Sequence, residues 1–169
     1  MTLNCAIIDD EPLAADLLAG YAKKTPFLNL VGVYNSAIDA MRTLRTSPVD
    51  LLFLDIQMPE LSGLEFATIL PENTMIVFTT AFDRYAIDSF KVNTVDYLLK
   101  PVSYDNFVKA RDKALRRFTD RKKAEIYSRD RVAYVKSDYK LVRVNLDDIL
   151  YVEGVKDYVK IVLEGNAQP

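Results

Sequence analysis

The 169-residue sequence contains no histidine and no tryptophan, one cysteine and only five glycines. Without histidine there is no Ser-His-Asp or Cys-His nucleophile and no imidazole metal ligand. One cysteine, Cys5, excludes an intramolecular disulfide. Set inside the apolar run Leu3–Ile8, it reads as an inert core residue, and the composition suits a reducing cytoplasm. The glycines, at 20, 32, 63, 154 and 165, form neither a G-x-G-x-x-G nor a P-loop, which argues against a nucleotide-binding Rossmann-type domain. No apolar stretch approaches the length of a membrane span, and the N-terminus lacks the basic start of a signal peptide. With 22 basic and 24 acidic residues, the net charge of −2 gives no global positive field of the kind that marks a nucleic-acid binder. The chemistry left to this chain runs on carboxylates, lysine, hydroxyls and a hard metal ion.

Half of the residues are apolar and 27% are charged, as in ordinary globular proteins. Short apolar runs alternate with helix-like stretches over the first two-thirds. Strands are expected over Leu3–Ile8, Leu28–Tyr34, Val49–Leu54, Thr74–Phe78 and Val95–Leu99. Between them fall helices starting at Pro12, at Ala37 behind a Ser36 cap, at Leu64 and at Tyr85, and a long one opened by Ser103 and running to about Lys123. Five strands alternating with five helices predict a parallel sheet covered on both faces. Continuous apolar strands agree with burial on both sides.

Polar residues stand at the C-terminal ends of four of these strands: Asp9-Asp10, Asp55, Thr79-Thr80 and Lys100. In an open parallel sheet those ends form one rim, where ligands bind. A charged residue at a strand end is commonly just where the chain meets water, so each feature alone says little. Together they describe crowded carboxylates that need a cation, an all-oxygen donor set suited to Mg²⁺, a lysine and a hydroxyl. That is the equipment for phosphoryl transfer to a carboxylate.

The residues that carry this pattern are Ile-Ile-Asp9-Asp10-Glu11-Pro12, Leu-Phe-Leu-Asp55-Ile-Gln-Met58-Pro59-Glu-Leu-Ser-Gly63, Phe-Thr-Thr80-Ala81 and Asp-Tyr97-Leu-Leu-Lys100-Pro101. In order and spacing they resemble the receiver domain of two-component response regulators, over about residues 1–120. The resemblance implies a flavodoxin-like, doubly wound sheet with strand order 2-1-3-4-5. It implies Asp55 as the phospho-acceptor, taking its phosphoryl group from a partner histidine kinase. Asp10 and Asp55 would bind Mg²⁺ directly, Gln57 through its backbone carbonyl and Asp9 through water. Lys100, Thr80 and Ala81 would meet the phosphoryl group, and Tyr97 would be the aromatic switch. It also implies a cis Lys100–Pro101 bond, and homodimerisation through the fourth and fifth helices and the fifth strand. Met58, Pro59 and Gly63 shape the loop beside Asp55.

After residue 108 the chain turns basic, from Arg111 to Arg131, with Asp112, Asp120 and Glu125 interspersed. This reads as a solvated helix face, with a phosphate-backbone or partner surface as the sharper alternative. From Arg131 the pattern is β: Val142, Val144 and Leu146, then Leu150 and Val152, then Tyr158–Leu163 after a turn containing Gly154. The run from Val135 to Val159 resembles the start of a LytTR-type DNA-binding domain, which needs roughly 100 residues. The expected organisation is a receiver over 1–122, a linker over 123–130 and a partial, truncated LytTR-type β domain over 131–169. Such a piece has an incomplete core and unpaired edges, and weak or no DNA binding is expected of it.

Aspartyl-phosphate hydrolases use a similar acid, threonine and lysine set, but carry a second carboxylate two residues after the nucleophile. Gln57 holds that place here, which argues for a switch and against an enzyme.

Overall fold

Five strands, β1 (Leu3–Ile8), β2 (Leu28–Tyr34), β3 (Leu51–Asp55), β4 (Met75–Thr80) and β5 (Thr94–Leu99), form one parallel sheet in the order β2-β1-β3-β4-β5. This is the order the resemblance implies. The computed structural model describes residues 1–82, 92–137 and 139–164. It divides into two compact units, Met1–Phe118 and Thr119–Pro169.

The inner strands owe their place to composition. Every residue of β3 and β4, and all but Asn4 in β1, is buried. The edge strand β2 instead alternates between covered and exposed residues. Val31 has no partner on β1, where the register shifts between Cys5 and Ala6, and such a bulge blunts an open edge.

Helices cover both faces. On one face α1 (Pro12–Lys23) and α4 (Tyr104–Asp130) bring Leu18, Ala22, Phe107 and Ala114 onto Cys5, Ile7, Phe53 and Val77. Phe107 stacks on Phe53 at a centroid distance of 5.2 Å. On the other face α2 (Ala37–Leu44) and α3 (Gly63–Thr68) place Ala40, Leu44 and Phe66 against Ala6, Ile8, Leu54 and Phe78. Each fully buried Leu or Phe in these layers contributes about 1.5–3 kcal/mol.

The helix starts follow local chemistry. Pro12 occupies the first turn of α1, and Ser36 accepts from the Asp39 amide at the head of α2. Ser62 and Glu65 form a reciprocal capping box on α3. Ser103 accepts from the Asn106 amide at 3.2 Å, as expected for α4. The helix expected over Tyr85–Lys91 lies outside the described residues.

Two features differ from the sequence reading. α4 continues to Asp130, so the stretch 123–130, read as a linker, is helical, and the division between the units falls within this helix. Beyond it stand four strands rather than three: β6 (Val132–Ser137) pairs antiparallel with β7 (Lys140–Asn145), and β8 (Ile149–Val155) with β9 (Tyr158–Leu163). Gly154 does not make a turn. It pairs with Val159 inside the second hairpin, and Lys156, with φ 51°, opens the tight loop. Among the described residues beyond Phe118, Val144 is the only buried apolar side chain, while Leu141, Leu150, Val152 and Val159 stay exposed.

Candidate functional site

Because all five strands of the sheet run parallel, their C-terminal ends lie on one rim. Asp9 follows β1, Asp55 closes β3, Thr79 and Thr80 close β4, and Lys100 follows β5. Asp9 is 0% exposed and Asp55 2%, an unusual degree of burial for carboxylates. Lys100 explains it. Its Nζ lies 3.0 Å from Asp9 Oδ2, 3.0 Å from Glu11 Oε1 and 3.2 Å from Asp55 Oδ2. The backbone fixes the same groups: the Glu11 amide donates to Asp9 Oδ1 at 3.0 Å, and the Gln57 amide to Asp55 Oδ1 at 3.3 Å. The Lys100 amide donates to Thr80 O at 2.7 Å, tying the lysine to the end of β4. The Lys100–Pro101 peptide that follows is cis.

Burial pushes the Asp55 carboxyl up to about 6, and the neighbouring Asp9 charge adds to the rise while Lys100 opposes it. Asp9 is raised for the same first reason, against the pull of the Glu11 amide and Lys100. Burial works against the Lys100 ammonium, but its bonds to Glu11 and Asp9 and the charge of Asp55 outweigh that and hold its pKa above the ordinary value. The site therefore holds a permanently charged lysine beside an acid that titrates near neutrality. Cys5, buried in β1 away from this rim, is pushed up to about 12 by burial and stays a neutral thiol.

Carboxylate oxygens of Asp9, Glu11 and Asp55 all lie within 4.8 Å of one another, an all-oxygen cluster able to hold a divalent cation. Asp9 Oδ2 fits that use: it is buried and, although 3.0 Å from the lysine nitrogen, accepts no hydrogen bond. Glu11 enters this cluster and Asp10 does not. The chain bends at Asp10 and Glu11, and the Glu11 amide folds back on Asp9 Oδ1, which keeps Glu11 beside Asp9. Glu11 was legible only as a letter of the Asp9-Asp10-Glu11-Pro12 run. Its spacing from Asp9 was the available signal.

The remaining sequence candidates gather nearby. Thr80 is 5% exposed, and its hydroxyl oxygen accepts from the Phe82 amide at 3.1 Å. Ala81, Lys100 and Pro101 line a cavity of about 400 Å³ together with Asp9, Glu11 and Leu13. Tyr97 is 40% exposed and its ring stacks on Phe78 at 5.5 Å, with 9° between the planes. Gly63 packs so closely under the acid that a Cβ there would lie 2.0 Å from the Asp55 carbonyl oxygen. A larger cavity of about 640 Å³ lies between α2 and α3, where Arg45 is the only charged lining residue and no acid–base pair is present.

Comparison with known proteins places this arrangement. The family model described as the response regulator receiver domain matches residues 5–112. The chain belongs to that family. A solved relative, the response regulatory domain of protein mrkE from Klebsiella pneumoniae, superposes with a TM-score of 0.63 at 28% identity, covering 69% of this chain and 98% of that one. Sensory transduction protein LytT of Bacillus cereus is 31% identical over 173 residues, covering 94% of this chain and 69% of the relative. Transcriptional regulatory protein BtsR of Escherichia coli is 45% identical over 102 residues, 59% of this chain and 43% of the relative. The chain spans about half the length of the first curated relatives it matches, 49% and 46%. The likeness to LytT extends past the receiver into the β-rich segment. Among the described residues no helix is long and apolar enough to cross a membrane.

Proposed function

We propose that this chain is a phospho-accepting cytoplasmic switch, in which a partner histidine kinase phosphorylates Asp55. The observation that carries the reading is the 3.2 Å approach of Lys100 Nζ to a buried Asp55 carboxylate. An oxygen of Asp55 attacks phosphorus on the kinase phosphohistidine. The new O–P bond forms as the P–N bond breaks, and the electron pair returns to the imidazole. Asp10, Asp55, the Gln57 carbonyl and, through water, Asp9 would hold a Mg²⁺ ion, which would supply positive charge against the phosphoryl oxygens.

Lys100 is already charged and seated, so it needs little reorganisation to meet the incoming group. The Gln57 amide keeps the acceptor carboxylate aimed. Thr80 gives up its bond to the Phe82 amide and donates to the phosphoryl group, with Ala81 leaving room beside it. Tyr97, which stacks on Phe78 at the surface, turns into the space that Thr80 vacates. This is a two-state element biased by one new charged group. Gln57 offers no acid for rapid hydrolysis, which suits a signal rather than turnover. The printed names of LytT and BtsR support a transcriptional output, and the LytTR-like segment supports DNA as the final partner in a full-length protein.

Intact-mass spectrometry after incubation with acetyl phosphate tests the reading. A single phosphoryl adduct that needs Mg²⁺, vanishes with EDTA and is lost in Asp55→Asn supports it. Labelling that persists in Asp55→Asn moves the acceptor elsewhere.

A further inference from the structure

The cavity of about 640 Å³ between α2 and α3 has no part in the switch. Leu44 of α2 lines it, with Phe66, Ile69 and Leu70 from the end of α3 and Pro48 and Pro71 from the turns that follow the two helices. Pro48 precedes β3 and Pro71 precedes β4, so the cavity lies at the strand starts, opposite the rim that carries Asp55. Its volume falls within the roughly 300–1,000 Å³ usual for small-molecule sites. Arg45 brings the only charge to the lining.

The backbone polar groups at this end satisfy one another. Met41 O accepts from the Arg45 amide, and Thr43 O from the Thr46 and Ser47 amides and the Thr46 hydroxyl. At α3, Phe66 O accepts from the Ile69 amide and Ala67 O from the Leu70 amide. The Arg45 guanidinium is therefore not spent as a helix cap, and among the described residues it makes no ion pair. A guanidinium without a carboxylate, beside an otherwise apolar lining, is complementary to a molecule with one anionic end and an apolar body. Two helix C-termini meet there, and their carbonyl ends disfavour negative charge, so Arg45 balances one charge and not two. A carboxylate fits that limit and a phosphate does not. We propose that this cavity binds a small amphiphilic monocarboxylate, its chain against Leu44, Phe66, Ile69 and Leu70 and its carboxylate on Arg45. The site stands apart from the acceptor chemistry at Asp55 and does not depend on it.

Sodium octanoate, kept below its micellar range, is titrated into the full chain and followed by two-dimensional amide NMR spectra, which also report whether each variant is folded. Saturable shifts are expected at the lining residues, with half-saturation on the order of 0.1–1 mM. Octylamine has the same body and the opposite charge, and should bind roughly tenfold more weakly or worse. Arg45→Gln, at an exposed position, should weaken octanoate about fivefold and leave uncharged octanol unchanged. Ile69→Glu, at a side chain 58% exposed, should abolish octanoate binding by setting an acid against the carboxylate. Asp55→Asn should bind octanoate like the parent. Equal binding of octanoate and octylamine, or unchanged affinity in Arg45→Gln, would make the cavity an unselective apolar surface and overturn the proposal. The absence of saturable shifts would overturn it too. Shifts of the lining residues on dilution alone, unaffected by octanoate, would assign the face to a second copy of the chain instead.

Discussion

Lys100 Nζ lies 3.2 Å from Asp55 Oδ2 while also holding Asp9 Oδ2 and Glu11 Oε1, each at 3.0 Å. One ammonium thus compensates two buried acids and one exposed acid. Replacing it by methionine, Lys100→Met, leaves Asp9 and Asp55 charged, buried and facing each other. Removing one partner of a buried ion pair costs about 3–5 kcal/mol, and the exposed Glu11 adds little. The loss is expected at pH 7.5 and shrinks toward pH 4, where the stranded carboxylates take up protons. Urea denaturation at both values checks it. An equal loss at both would mean that Lys100 acts through packing alone.

The raised pKa of Asp55 has a thermodynamic signature of its own. Its folded value of about 6 lies above the ordinary carboxylate value of about 3.9. Between the two, the folded state binds more protons than the unfolded one, so this group favours folding at low pH and that contribution is lost as pH rises through 6. Asp55→Asn removes the charge at similar shape. It is expected to stabilise the chain by about 1–3 kcal/mol above pH 7, with the gain fading below pH 5. Melting curves from pH 4 to 8 decide the point, and a gain that grows as pH falls would refute the assignment.

The rim residues were legible because parallel topology converts strand ends into neighbours. Asp9, Asp55, Thr80 and Lys100 are up to 91 positions apart, yet Lys100 bonds Asp9 directly. Apolar runs gave β1, β3 and β4 for the same reason, since both faces are buried. Less was readable where side chains choose between directions. The pairing of Glu11 with Lys100 depends on which way one turn of chain faces. β6 carries no alternating signal, because Val132–Val135 is a continuous apolar run, buried only in part, that Lys136 and Ser137 follow. Gly154 suggested a turn by residue type, whereas the hairpin loop is closed by Lys156 in a conformation more usual for glycine.

Gly63 is the position where one carbon atom should matter most. A Cβ there would meet the Asp55 carbonyl oxygen at 2.0 Å and its carbon at 2.9 Å, both main-chain atoms that cannot swing aside. The Gly63 amide also donates to Ile56 O at 2.9 Å, so the close approach is bonded in place. Gly63→Ala is expected to cost about 2–4 kcal/mol and to slow phosphorylation by acetyl phosphate more than tenfold by displacing Asp55. Gly20→Ala, with open space around its Cβ and a helical site, serves as the control and should stabilise slightly. Equal effects of the two substitutions would show that the contact under Asp55 is relaxed at no cost.

The acids of the Asp9-Asp10-Glu11 run should separate by function when Mg²⁺ is added. Asp9 and Glu11 are engaged by Lys100, whereas Asp10 makes no ion pair among the described residues, so the lysine leaves its charge unneutralised. Saturating Mg²⁺ is expected to raise the stability of the parent chain by about 2–3 kcal/mol at 100 times its dissociation constant. Asp10→Asn should raise the half-saturating concentration roughly tenfold, about 1.4 kcal/mol. Glu11→Gln removes a partner of the lysine and leaves the Mg²⁺ response within about twofold, since exposed pairs are worth little. Melting temperature against Mg²⁺ concentration measures all three proteins. The reverse order, with Glu11→Gln crippled and Asp10→Asn unaffected, would assign the cation to the cluster of Asp9, Glu11 and Asp55 instead.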